Sequence, residues 1–94
     1  MELLLAVRDA KVRDAGLREQ AMRSAKSACL NVAEGAGRVS RADKARVFAI
    51  ARAEAGEAAA AVEIAALSGD AGDVEPVLKS ADAVVAMLTG LIRP

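Results

Sequence analysis

The residues best suited to do chemistry lie in the stretch NVAEGAGR, residues 31–38, where an acid, two glycines and an arginine follow a helical pattern. The stretch could form a phosphate-binding loop, a catalytic corner or the end of a helix. A phosphate-binding loop needs a third glycine in G-x-G-x-x-G after a strand, or the Lys-Ser/Thr of a P-loop. The letters GAGRVS provide neither. We therefore interpret the stretch as a helix exit, where Gly35 and Gly37 permit the left-handed or tight backbone of a C-cap.

Catalysis finds little support in the composition. The sequence has no histidine, which removes the commonest general base and the commonest transition-metal ligand. Its single cysteine, Cys29, can form neither a zinc site nor an intramolecular disulfide. Glu34 and Glu57 could form a pair of carboxylates, but an isolated acid among polar residues is more often a structural hydrogen-bond acceptor. We therefore expect a protein that is not an enzyme and that uses no metal and no cofactor.

A row of polar side chains runs along the second predicted helix at spacings of three and four residues. Its members are Gln20, Arg23, Ser27, Asn31 and Glu34. This spacing places them on one stripe, roughly opposite the alanine and valine residues of the same helix. Free helix faces usually carry long Lys and Glu side chains. The polar stripe therefore favours a packed polar contact with another helix or another subunit over a merely solvated face.

The charges are unevenly distributed, although 13 basic and 13 acidic residues cancel over the whole chain. Residues 17–52 are rich in basic side chains, whereas residues 53–94 are rich in acids. In an antiparallel bundle this asymmetry predicts a basic pole formed by Arg38, Arg41, Lys44 and Arg46. These four residues are the candidate contacts for RNA or DNA, whose phosphates attract positive charge without base recognition. Ordinary solvated surface charge and head-to-tail contact between subunits are the alternatives.

Hydrophobic periodicity predicts four helices, at about residues 2–14, 17–35, 41–67 and 74–92. Ser40 followed by Asp43 is typical of a helix start, because the hydroxyl accepts from an unpaired backbone N–H and the acid suits the first turn. Short connections join the four segments. The sequence therefore predicts a single all-α domain, an up-down-up-down antiparallel four-helix bundle with a short first helix.

The predicted core is thin. Alanine occurs 24 times, against one phenylalanine and no tryptophan or tyrosine. At about 25 cal/mol per Å² of buried apolar surface, faces of alanine and valine contribute less than faces of leucine and phenylalanine, while the cost of ordering the backbone is the same. We therefore expect the chain to gain stability by associating with itself.

The chain shows no segment typical of a membrane or secreted protein. The apolar residues 3–5 are followed at once by Arg8 and Asp9, and no run of 18 apolar residues occurs. A lone cysteine is typical of a reducing compartment. These features predict a cytoplasmic protein with no membrane partner.

Residues 20–40, which read QAMRSAKSACLNVAEGAGRVS, resemble the signature of the four-helix-bundle family also called 23S rRNA intervening sequence proteins. That signature reads roughly Q-x-x-R-x-A-x-S-x-P-x-N-I-A-E-G-x-G-R-x-S. The matching positions are Gln20, Arg23, Ala25, Ser27, Asn31, Ala33, Glu34, Gly35, Gly37, Arg38 and Ser40. A looser match extends the resemblance over most of residues 17–67. The chain departs from the family at Cys29, which replaces a proline, at Ala53 and Glu54, which replace Gly-Ser, and in its short first helix without aromatic residues.

The resemblance implies a homo-oligomer, typically a pentamer, with no established enzymatic activity. A related branch comprises the accessory proteins of diversity-generating retroelements, which are basic and bind nucleic acid and a reverse transcriptase. In this chain the formal net charge is zero, so only the local basic pole supports that analogy. Two functions follow: an oligomer that binds nucleic acid non-specifically through the basic pole, or a structural or adaptor oligomer with a protein partner and no nucleic-acid binding.

Overall fold

The computed structural model describes residues 2–93 as four α-helices: α1 (Glu2–Asp9), α2 (Ala15–Ala36), α3 (Arg41–Leu67) and α4 (Glu75–Ile92). Helix α3 packs against both α2 and α4, and α1 completes the bundle by packing between α2 and α4 on the other side. The predicted all-α, antiparallel four-helix bundle is confirmed. Among residues 2–93, no helix combines the length and apolar character that crossing a bilayer requires.

Helices α2 and α3 both begin at a side-chain cap. The Asp14 carboxylate accepts a hydrogen bond of 2.8 Å from the backbone N–H of Leu17. The Ser40 hydroxyl accepts one of 3.1 Å from the backbone N–H of Asp43. These bonds satisfy donors that the first turn of a helix leaves unpaired. The helix start predicted at Ser40 is therefore confirmed, and α3 spans the predicted residues 41–67.

Helix α1 is shorter than the sequence pattern predicts. It ends at Asp9, whereas the predicted helix continued to residue 14. Lys11 adopts a left-handed backbone with a φ of 51°, which a helix cannot contain. The backbone N–H of Arg13 then donates a 2.7 Å bond to the carbonyl of Asp70 in the α3–α4 connection. A contact between two connections distant in sequence therefore ends α1, and periodicity alone does not reveal it.

The short α1 divides the core into two parts. Its eight residues rise about 12 Å, whereas the 22 residues of α2 rise about 33 Å, so α1 covers only one half of the bundle. In that four-helix half, Leu3 and Val7 of α1 join a large cluster of alanine and valine side chains. In the three-helix half, a smaller cluster consists of Phe48, Ala51 and Leu88. The single aromatic residue therefore lies in the less enclosed part of the core.

Several large apolar side chains lie on the surface of the bundle. They are Leu5, Leu30, Val39, Ile50, Ile64, Leu67, Met87 and Leu91. Soluble monomers rarely leave many such groups in contiguous exposed patches, and larger patches usually mark sites of interaction. The exposed apolar side chains, together with the thin core, therefore make the surface a candidate for contact with other chains.

Candidate functional site

Gly35 lies inside α2 and packs against an aromatic ring. The residue is helical and buried. A Cβ atom placed on it would lie 2.6 Å from Cε1 and 2.7 Å from Cδ1 of Phe48, well inside van der Waals contact. Glycine is therefore needed here so that the Phe48 ring can touch the α2 backbone, and not for a turn. This contact was not predicted, although a lone aromatic residue in an alanine-rich chain must find close neighbours.

Gly37 ends α2 without a left-handed backbone. Its φ of −85° and ψ of −8° are right-handed, and its N–H reaches the carbonyls of Ala33 and Glu34. Within residues 2–93, positive φ angles occur at Lys11 and Gly69 instead. Of the two expected forms of the C-cap, a left-handed or a tight backbone, the left-handed form is therefore wrong. Gly37 is the C-cap, as expected, but its backbone is one that other residues adopt.

Gly35→Ala is expected to destabilise the protein by about 1 to 2 kcal/mol. Overpacking against Phe48 costs about 1 to 3 kcal/mol, and the better helix propensity of alanine returns up to about 1 kcal/mol. The change is measured by urea denaturation at a fixed protein concentration. Gly90→Ala is the matched control, because a Cβ atom at Gly90 meets nothing within 4 Å and should stabilise α4. Equal shifts in the same direction for both variants would contradict the proposed contact.

Two of the four predicted basic-pole residues are held by acids at the α2–α3 corner, residues 34–46. Arg38 forms ion pairs of 2.7 Å with Glu34 and 3.1 Å with Asp43. Arg46 forms one of 2.9 Å with Asp43. The hydrogen bond from Arg46 and the positive charge of Arg38 lower the pKa of Asp43, while the hydrogen bond to Glu34 and the charge of Asp43 raise the pKa of Arg38. This network joins the end of α2 to the first turns of α3.

The other two basic residues of the corner have different surroundings. The Nζ atom of Lys44 donates a 3.2 Å hydrogen bond to the carbonyl of Ala36, one of the last carbonyls of α2. Lys44 is half-buried, whereas Arg41 is exposed at the start of α3. A lysine at this position pairs with a carbonyl that the end of α2 would leave without a hydrogen bond, and its positive charge interacts favourably with the negative end of the helix dipole. The free positive charge of the corner is therefore smaller than the sequence suggests.

The polar stripe lies on the flank of α2 next to α3, and not opposite the core as predicted. Ser27 and Asn31 are half-buried. Gln20 borders a surface groove between α2 and α3 together with Glu57 and Ile64. Gln20 is thus the member of the stripe that borders this α2–α3 groove, whereas Arg23 and Ser27 line a shallow groove on the outer surface of α2.

Hydrogen bonds of the polar stripe run mainly along α2. Arg23 donates to the side chain of Gln20 at 3.2 Å. The side-chain amide of Asn31 donates to the backbone carbonyl of Ser27 at 3.0 Å and to its hydroxyl at 3.2 Å. Glu34, at the end of the stripe, forms the ion pair with Arg38 already described. Contact of this stripe with another subunit remains a prediction.

The two acids considered as a catalytic pair lie far apart. The hydroxyl of Ser24 donates a 3.4 Å bond to the carboxylate of Glu57, so Glu57 lies level with Ser24. Glu34 lies ten residues further along α2, a rise of about 15 Å. Two carboxylates that share one reaction must lie much closer than this. Glu34 and Glu57 therefore do not form a carboxylate pair, and each accepts a hydrogen bond from another side chain, the alternative that the sequence favoured.

Comparison of the sequence with models of known protein families gives a match to one family. The family model described as 23S rRNA-intervening sequence protein matches residues 4–90. Among curated proteins, none matches the chain. The matched span contains the α2–α3 corner, the α2–α3 groove and the polar stripe.

Proposed function

Because the chain belongs to the 23S rRNA-intervening sequence protein family, we propose that it is a non-enzymatic homo-oligomer that serves as a structural or adaptor protein. The family resemblance favours a pentamer, and the lone cysteine favours the cytoplasm as a reducing compartment. It also suggests a protein partner, of which a reverse transcriptase is one example.

The observation that carries this proposal is the distribution of large apolar side chains. Leu30 is 70% exposed and Leu67 is 85% exposed, while much of the core consists of alanine. Covering such side chains with another chain adds buried apolar area that the bundle does not provide by itself. Contact with other chains therefore explains both the thin core and the apolar surface.

Two features support a role without catalysis. The sequence offers no histidine as a general base. The two acids that could have formed a pair, Glu34 on α2 and Glu57 on α3, lie far apart. Glu34 forms an ion pair with Arg38, and Glu57 accepts a hydrogen bond from Ser24. The polar groups of the α2–α3 corner thus make structural contacts between helices.

Nucleic-acid binding is the second candidate function, and one observation favours it. Arg41 is exposed at the α2–α3 corner, where Glu34 and Asp43 offset only two of the four basic residues. Copies arranged in an oligomer would multiply this remaining charge. Contacts of this kind bind phosphates irrespective of base sequence and weaken steeply with salt.

Native mass spectrometry followed by a titration tests both candidates. The wild-type chain is expected to show a mass several times 9.6 kDa, and a monomer at micromolar concentration would overturn the adaptor proposal. Labelled RNA and DNA are then titrated at low and moderate salt against wild type, Arg41→Glu and the control Lys79→Glu.

If the corner binds nucleic acid, Arg41→Glu should weaken binding several-fold and lower the salt dependence by about one unit per lost phosphate contact. Lys79→Glu makes the same charge change on the exposed surface of α4 and should have a smaller effect. Absence of binding by the wild type at low salt would eliminate the nucleic-acid candidate and leave the adaptor.

A further inference from the structure

The outer surface of α3 carries small side chains where a solvated helix usually carries long charged ones. Ala53, Gly56 and Ala60, spaced three and four residues apart, are all exposed. A side chain at Gly56 would meet nothing within 4 Å, so the fold of one chain does not require glycine there. Glycine also weakens an exposed helix relative to alanine. We call these three residues the α3 face.

Larger apolar and charged groups border the α3 face. Ile50 and Ile64 are partly exposed apolar side chains on the same helix. Glu57 and Arg46 are exposed on the side towards the α2–α3 groove. The surface therefore combines a low centre, on which a helix can approach closely, with an apolar and charged border.

The exposed side of helix α2 carries larger side chains than the α3 face. Arg23, Lys26 and Leu30, spaced three and four residues apart, project from the exposed side of α2. Leu30 is a large apolar side chain that the fold of one chain leaves mostly in water. We call these three residues the α2 ridge.

Two contacts within the chain fix the relative heights of the ridge and the face. Ser24 lies level with Glu57, and Gly35 lies level with Phe48. Because α2 and α3 are antiparallel, the regular helical rise then puts Leu30 close to the height of Ala53. By the same rise, Lys26 comes level with Gly56, and Arg23 lies one to three residues from the height of Glu57.

We infer that the α2 ridge of one copy packs on the α3 face of the next copy, an inference that rests on the proposed self-assembly. With two copies side by side at equal height, Leu30 of one copy lies over Ala53 and Gly56 of the next. Arg23 and Lys26 of the first copy come near Glu57 of the next. Glu34 of the first copy comes near Arg46 of the next. The partner is thus a second copy of this chain, because both apolar shape and charge are complementary at the same heights.

The contact joins two different surfaces of the molecule, so each copy keeps a free ridge and a free face for further copies. Heterologous contacts of this kind form rings when the rotation closes. The ridge includes Arg23 of the polar stripe, and the face borders the α2–α3 groove. The inference therefore assigns the polar stripe to the edge of a subunit interface.

Gly56→Lys is the decisive variant, with Gly90→Lys as its matched control. Both glycines are exposed within helices, and a Cβ atom meets nothing within 4 Å at either. Gly56→Lys is expected to reduce the native mass to that of a 9.6 kDa monomer, whereas Gly90→Lys keeps the wild-type mass. Circular dichroism should show the wild-type helix content in both variants.

The outcomes separate this inference from the proposed function. A monomeric wild type would overturn self-assembly and this interface together. A wild-type oligomer that Gly56→Lys leaves intact would overturn the interface alone. As a second arm, Arg23→Glu should weaken assembly several-fold, and adding Glu57→Arg should restore it. Persistent weakness of the double variant would contradict the predicted pairing.

Discussion

Phe48→Ala is expected to lower the free energy of unfolding by about 3 to 5 kcal/mol. Phe48 is the only aromatic residue of the chain, is 7% exposed, and packs with Ala51 and Leu88 in the three-helix half of the bundle. Gly35 and Ala51 are too small to fill the space that the ring would leave, so a cavity should persist. Small domains are stable by only about 5 to 15 kcal/mol, so the loss would be a large part of the total.

Urea denaturation followed by far-UV circular dichroism measures this effect. The protein concentration is held constant, because assembly makes apparent stability depend on it. Glu63→Ala shortens a long side chain of the same helix at an exposed position, and should change the free energy of unfolding by less than about 0.5 kcal/mol. A similar loss in both variants would show that Phe48 does not anchor this half of the core.

The contact between Phe48 and Gly35 also gives a coupled expectation. Replacing Phe48 by leucine shortens the side chain that a Cβ atom at position 35 would strike, so Gly35→Ala should cost less in a Phe48→Leu background than in the wild type. Residues in direct contact show such non-additivity, whereas distant residues do not. The double-mutant cycle therefore separates this contact from a general loss of helix stability.

Local signals in the sequence were sufficient to predict the fold and the largest helix. For α3, a serine cap, a long alanine-rich pattern and a Ser-Gly turn mark both ends at residues 41 and 67. For α1, no local signal marks the end at Asp9, because Lys11 turns the chain and Arg13 bonds to Asp70 in a distant connection. Sequence periodicity thus succeeds where a helix ends by its own residues and fails where a tertiary contact ends it.

The candidate site was only partly predictable for the same reason. Glycine at position 35 suits either a helix cap or close packing, and the choice depends on Phe48 in the next helix. The basic pole was overestimated because its four basic residues were considered without the acids Glu34 and Asp43, which lie among them. The spacing of Glu34 and Arg38 by four residues was a signal for their ion pair. The spacing of Asp43 and Arg46 by three residues was a second signal of the same kind. Pairing of Arg38 with Asp43 requires the corner between two helices, which only the structure gives.

Leu3→Ala is expected to release α1 from the bundle and to lower the free energy of unfolding by about 2 to 4 kcal/mol. Leu3 is fully buried, and Val7, one turn further on, is the other buried residue of α1. A helix of eight residues is too short to persist in water without such packing. The loss is limited by the free energy with which α1 docks, because α2, α3 and α4 still pack with one another after α1 leaves.

Hydrogen exchange distinguishes this local release from global unfolding. Amides of α1 should lose their protection in Leu3→Ala, while those of α2 and α3 near the α2–α3 corner should keep most of theirs, because local openings need less free energy than global unfolding. Leu5→Ala is the matched control on the same helix, since that side chain is 48% exposed and its truncation should leave α1 protected. Wild-type protection of the α1 amides in Leu3→Ala would mean that Leu3 does not hold α1 in the bundle, and that the four-helix half is stabilised from elsewhere.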